Sequence, residues 1–294
     1  MALSSIRFVV ALLLFLMVSC QQNDKKAKPV VPQQDSIALE QEKKEQERSD
    51  KRTAMLEREK YDSLQLDLFL KKALQLADKN KNRNQYKESY VETMPDSSFQ
   101  VTVTVGSDFY FTKQHPHLVI RLESPNTNCI AIYSKTGQQF KKVASHEEWN
   151  MTYVSDTIRD INGDGLKDFV VNTYGANGCC LKAFNMVYLL RSDKKGFSEG
   201  FEFINPTFSP NEKTIRGICY GHPGETEMYK YQWNGEKVDT IEYVSYQKNA
   251  KGEKTGKVIL SKDRYGEKPG YKVLNAVPKE YTKIKEYDWF TGNP

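Results

Sequence analysis

The chain of 294 residues is 28% charged, 38% apolar and 12% aromatic. That balance excludes a polytopic membrane protein, a collagen-like chain and disorder throughout, because the aromatic side chains alone offer enough surface for a sizeable core. A net charge of +5, from 43 basic against 38 acidic residues, is too small for the electrostatic footprint of a nucleic-acid binder.

Arg7 precedes an apolar run from Phe8 to Val18 that ends on Met17-Val18-Ser19-Cys20. The run is too short to span a bilayer comfortably, and charge, apolar stretch and small residues follow in the order of a secretory signal. Met17-Val18-Ser19-Cys20 resembles the lipobox of bacterial lipoproteins. The resemblance implies that residues 1–19 are a cleaved signal peptide and that Cys20 carries the acyl chains, palmitate among them. A multi-chain anchor of this kind holds a protein at the membrane without a transmembrane helix. Gln21 after the cysteine, where Asp would retain the protein at the inner membrane, implies an outer-membrane lipoprotein of the cell envelope.

With Cys20 lipidated, Cys129, Cys179, Cys180 and Cys219 remain. An exported chain meets oxidising conditions, and an even number of cysteines invites disulfides. A vicinal Cys179–Cys180 bond needs a strained ring. The expected pairing joins one of these two to Cys129 and the other to Cys219, with buried free thiols as the alternative.

Residues 20–34 are rich in Lys, Gln and Pro and nearly empty of large apolar side chains, which marks a flexible tether. Asp35 and Ser36 are candidate helix caps. From Ile37 to Lys79 no Gly or Pro interrupts a run of Glu, Lys, Gln, Arg, Ala and Leu, so residues 35–85 form a charged helical stalk. Leu64, Leu68, Leu70, Ala73, Leu74 and Ala77 crowd its second half. Apolar residues are not sustained through the heptads of a coiled coil, so the end of the helix is expected to dock on the domain rather than to oligomerise.

All but one of the 17 Tyr, all three Trp and all but three of the 14 Phe fall from Tyr86 onward. Aromatic and β-branched enrichment marks strands. Phe99, Val101, Val103 and Val105 alternate with polar residues, the pattern of a half-buried strand. Further strands are predicted over 108–112, 118–123, 129–134, 152–158, 168–174, 186–191, 197–203, 214–220, 228–233 and 238–246. Lys135-Thr136-Gly137, Lys195-Gly196 and Asn234-Gly235 separate some of them, and the last is a strong hairpin signal. The expected fold is an all-β core, an antiparallel meander forming a sandwich or propeller-like sheet, preceded by a long N-terminal α-helix. Its β domain covers 90–248, and 249–294 is a C-terminal extension that adds a hairpin or wraps the surface.

Asp160-Ile161-Asn162-Gly163-Asp164-Gly165-Leu166-Lys167-Asp168 carries the chemistry. The side chains of Asp160, Asn162, Asp164 and Asp168 and the carbonyl of Leu166 can converge on one hard cation, with Gly165 supplying the sharp turn. Three carboxylates so close repel one another unless a cation or protons neutralise them. A flexible, all-oxygen loop suits calcium (Ca2+) better than magnesium. Val171 stands where an EF-hand requires its bidentate Glu, and a strand follows in place of a helix. The loop therefore resembles the calcium loops of FG-GAP and VCBS-type β proteins.

Downstream, Phe208-Ser209-Pro210-Asn211-Glu212-Lys213-Thr214-Ile215 and the hairpin from Tyr229 through Trp233 to Val238 follow the loop in order. Over residues 150–245 this order resembles exported β domains similar to i-type lysozyme inhibitors, a group that includes immunity proteins against lysozyme-like effectors. The resemblance implies binding of a cell-wall hydrolase. Read for themselves, Trp233 and Ile215 are core residues and Asn234-Gly235 is a turn.

No catalytic constellation stands out. The Ser segments lack G-x-S-x-G. His115 and His117 have no third His or carboxylate at metal spacing and read as surface histidines, His146-Glu147-Glu148 lacks the second His of a zincin helix, and His222 lies in a Gly/Pro turn. The sequence points to a non-enzymatic, calcium-stabilised binding protein anchored by lipid, with exposed tyrosines contacting a protein, lysozyme-like in the sharpest form, or a glycan. The alternatives are an envelope glycan hydrolase with an Asp/Glu pair and a stalk that oligomerises through its helix.

Overall fold

The structure is a computed structural model that describes residues 33–125, 127–175, 180–264, 266 and 269–293, with side chains from 38 onward. The signal segment, Cys20, most of the tether and Cys179 lie outside them. The chain divides into two compact units, Met1–Glu59 and Lys60–Pro294. The described part of the first is helix, and its side chains from 38 to 57 are all exposed. Local pairs such as Lys44 with Glu40, one turn apart, are what such a solvated helix can use.

The helix α1 (Gln33–Lys79) starts ahead of the expected Asp35 and Ser36 caps. At its other end the Asn80 side chain donates to the Leu76 carbonyl at 3.2 Å, satisfying one of the free carbonyls of the last turn. Within the second unit the helix buries Leu66, Phe69, Ala73 and Ala77, while Leu64 and Leu68 of the predicted stripe point to solvent at 55% and 48% exposure. Leu70, Ala73, Leu74 and Ala77 of the predicted stripe do pack on the first sheet, so the docked face takes in most of the expected one and adds Leu66 and Phe69.

Fifteen strands are described: β1 (Tyr86–Thr93), β2 (Gln100–Asp108), β3 (His117–Glu123), β4 (Thr127–Thr136), β5 (Gln139–Trp149), β6 (Met151–Arg159), β7 (Asp168–Gly175), β8 (Ala183–Tyr188), β9 (Phe201–Ile204), β10 (Pro206–Ser209), β11 (Thr214–Ile218), β12 (Met228–Asn234), β13 (Lys237–Lys248), β14 (Lys254–Ser261) and β15 (Lys272–Leu274). A short helix α2 (Tyr287–Thr291) follows. The strands form three antiparallel meanders in chain order, β1 to β5, β6 to β9 and β10 to β15. Among the described residues they close neither a barrel nor a ring of blades.

The sheets are stacked, and this explains the nearly continuous apolar runs. Leu118, Ile120 and Leu122 of β3 face the end of α1, in a cluster with Phe69, Ala73 and the β2 valines. Val119 on the other side of β3 joins Ile130 and Ile132 of β4 against Phe169 and Val171 of β7. Val170 and Val187 on the far side of the second sheet meet Ile215, Tyr229 and Trp233 of the third. The third sheet's outer face, with Met228, Val244 and Val258, is covered by Tyr281, Ile284 and Phe290. A strand with both faces buried cannot show clean alternation.

The predicted strand over 108–112 is not formed. After Asp108 the chain turns, with the Phe109 N–H bonded to the Asp108 carboxylate at 2.7 Å, and Phe111 drops into the layer between the first two sheets. The C-terminal segment does both things expected of it. β14 and β15 extend the third sheet, and the residues beyond them cover it. Trp233 and Ile215 are core, and Asn234-Gly235 closes the β12–β13 hairpin.

Candidate functional site

The nine-residue loop closes the hairpin between β6 and β7, whose last pair is Arg159 with Asp168. Ile161 and Leu166 pin it, the first wholly buried against the third sheet and the second packed against the first–second sheet layer. Asp160 accepts the N–H groups of Gly163 at 2.7 Å and Gly165 at 2.9 Å. Asp164 accepts the Leu166 N–H at 2.8 Å and the Asn162 side-chain amide at 3.0 Å, and Asn162 in turn accepts the Asp164 N–H.

Asp168 is fully buried. One oxygen accepts the Ile161 N–H and the other the Leu190 N–H, both at 2.9 Å, so this side chain ties the loop to the segment after β8. Burial pushes its carboxyl up to about 7, the two N–H groups act against that, and the Asp164 and Asp160 charges add to it.

Gly163 has φ +73°, and a Cβ there would come within 2.1 Å of the Pro210 carbonyl oxygen. Only glycine fits this approach. It seats the loop against the 3-10 turn Pro210–Glu212, and the Lys213 carbonyl then accepts the Trp233 N–H at 2.8 Å. The two segments that carried the resemblance are thus neighbours in space.

Asp160, Asn162, Asp164 and Asp168 are brought together on one connection, and the donors are those a hard divalent cation takes. Among the described residues no group of three or more His, Cys, Asp or Glu side chains is drawn around a common point as a metal requires. Asp160 and Asp164 turn their oxygens onto the loop's own N–H groups, so a cation would have to share or displace those bonds.

The expected pairing is not formed at Cys129 or Cys219, neither of which is in a disulfide, while Cys179 lies outside the described residues. Stacking is the reason, since Cys129 packs between α1 and the first sheet while Cys219 packs between the second and third. Burial pushes both thiols up to about 12, which leaves them unreactive. Cys180 lies 3.8 Å from His222 Nδ1.

His117, expected at the surface, is buried at 1% exposure, and His146 is buried too, at 5%. His146 on β5 sits between the first two sheets, 3.0 Å from the Tyr188 hydroxyl and 3.2 Å from Glu148. Nearby, Arg121 of β3 makes a bidentate pair with Asp156 of β6, which also accepts the Tyr153 hydroxyl at 2.7 Å. Sequence alone misses both groups because their members lie on different sheets. Each carboxylate here is held by a partner side chain.

Among the described residues no helix is long and apolar enough to cross a membrane. Comparison with known proteins finds no matching family model, no similar curated protein and no similar solved structure.

Proposed function

We propose that the chain is a lipid-anchored envelope binding protein whose β domain is stabilised by calcium at Asp160–Asp168, with a lysozyme-type cell-wall enzyme or an envelope glycan as its partner. Cys20 provides the anchor and Gln21 directs it to the outer membrane. The face-to-face meanders support an open, propeller-like reading of the fold.

The observation that supports this most is the wholly buried Asp168 on the same short connection as Asp160 and Asp164. Clustered carboxylates of this kind repel one another unless a cation or protons neutralise them. Calcium would neutralise them and fasten the β6–β7 turn to Pro210 and Leu190, which makes its role structural rather than catalytic.

The test is thermal unfolding of the full chain with millimolar calcium and with chelator. Calcium is expected to raise the melting temperature of the native protein and to leave Asp160→Ala and Asp164→Ala unshifted. An equal shift in all three would refute the loop assignment. On the partner side, an immobilised lysozyme-type enzyme is expected to retain the protein and lose activity, and passage without retention would remove that partner.

A further inference from the structure

A cleft of about 580 Å³ opens between the second and third sheets, lined by residues outside the aspartate loop. Its floor is the face of the second sheet that elsewhere packs on the third through Val170, Val187 and Phe203. Where the sheets part, one row across the strands changes character. Ser155 pairs with Asn172 and Asn172 with Asn185, so β6, β7 and β8 present a hydroxyl and two amides side by side. Tyr174, 42% exposed, stands beside this row, and Phe208 of β10 forms part of the facing wall.

The hydrogen-bonding capacity of this row is only partly used. Asn172 donates to the Ser155 hydroxyl at 3.0 Å and Asn185 to the Phe184 carbonyl at 2.8 Å, and in both amides the carbonyl oxygen has no partner among the described residues. The Thr157 hydroxyl oxygen is buried without one. Arg159 lies over the Phe208 ring, 6.0 Å from its centroid, and forms no ion pair among the described residues. Ser155, Asn172 and Asn185 are half-buried and line the cleft, so their open hydrogen-bonding positions are accessible to a ligand that both donates and accepts.

We propose that this cleft is a saccharide-binding site that takes a short stretch of a neutral, hydroxyl-rich glycan. Sugar hydroxyls both donate and accept, which matches the amides and hydroxyls of the row, and the charges that also line the cleft, Arg159, Lys285 and Glu286, are of both signs. Tyr174 and Phe208 offer flat apolar surfaces for the C–H faces of sugar rings. The volume is within the usual range for a small-ligand site. The assignment rests on the reading of the chain as an envelope binding protein, but on neither calcium nor the lipid.

The full chain, in detergent, is applied to an array of β-linked glucose, galactose and N-acetylglucosamine oligosaccharides, and the retained sugar is then titrated by calorimetry. Tyr174→Ala and Asn185→Ala are each expected to weaken binding about tenfold, the scale of one lost stacking or hydrogen-bonding contact in a desolvated site. Their melting temperatures should stay near the native value, and Val91→Ala, on the exposed face of β1, should bind as the native protein does. Retention of no sugar, or affinity unchanged in both cleft variants, would overturn the assignment, as would displacement of the sugar by unrelated peptides. A protein that ignores every sugar yet keeps its calcium shift and its lysozyme capture loses the cleft alone. Sugar binding without a calcium shift loses only the loop.

Discussion

His117 shows how far burial alone can move a side chain's chemistry. Its ring lies edge-on to Phe111 at 5.0 Å, and burial lowers its pKa from 6.5 to about 4. The neutral ring is therefore the folded form. As pH falls from 6.5 towards 4 the unfolded chain takes up a proton that the folded chain refuses, so stability is full above this window and is lost through it. The shift corresponds to a loss on the order of 3 kcal/mol. Urea unfolding followed from pH 7 to pH 4 should give a steeper decline for the native protein than for His117→Leu, and parallel curves would refute the assignment. Nothing in the local sequence marks this residue, because His115, two positions earlier, is exposed.

The elements most readily found in the sequence are the strands rich in β-branched and apolar residues, β2, β3, β4 and β7. β2 alternates as predicted, with Val101, Val103 and Val105 wholly buried and Thr102 exposed. β1 and β5 escaped notice because they are the edges of the first sheet and carry the Lys and Glu that edges require. β14 is similar, a Lys- and Gly-containing strand recognisable only by its pairing with β13. For α1, the sequence predicts the helix and four residues of the docked stripe, Leu70, Ala73, Leu74 and Ala77, but not Leu66 and Phe69. Phe69→Ala should cost about 3 kcal/mol, because Phe69 is buried against the first sheet. Leu68→Ala, at an exposed position, should change stability by less than about 0.5 kcal/mol. Chemical denaturation measures both, and equal losses would return the helix to a role in self-association.

At the scale of the molecule, each sheet depends on a neighbour to cover it, and the last layer is the C-terminal segment. Tyr281 and Phe290 are wholly buried, the Tyr281 hydroxyl donates to Glu242 at 3.0 Å, and the Trp289 indole donates to the Gly221 carbonyl at 3.0 Å. Removing residues 275–294 uncovers Met228, Val244 and Val258. The truncated chain should bind a hydrophobic dye and be cut rapidly by protease in its third sheet, as expected for a large exposed apolar patch. A truncated chain as resistant as the full one would refute the covering role.

Sequence by itself determined what depends on near neighbours: the helix, the alternating strand, the Asn234-Gly235 hairpin and the aspartate-rich turn, in which Gly163 and Gly165 let the backbone reach positive φ. Tertiary structure alone decided which residues share a face. It separated the cysteines into different layers, buried His117 and His146, and aligned Ser155, Asn172 and Asn185 across three strands. The reason is that strand register and sheet stacking join residues far apart in the chain, and a shift of one residue in register would turn each of these side chains to the opposite face.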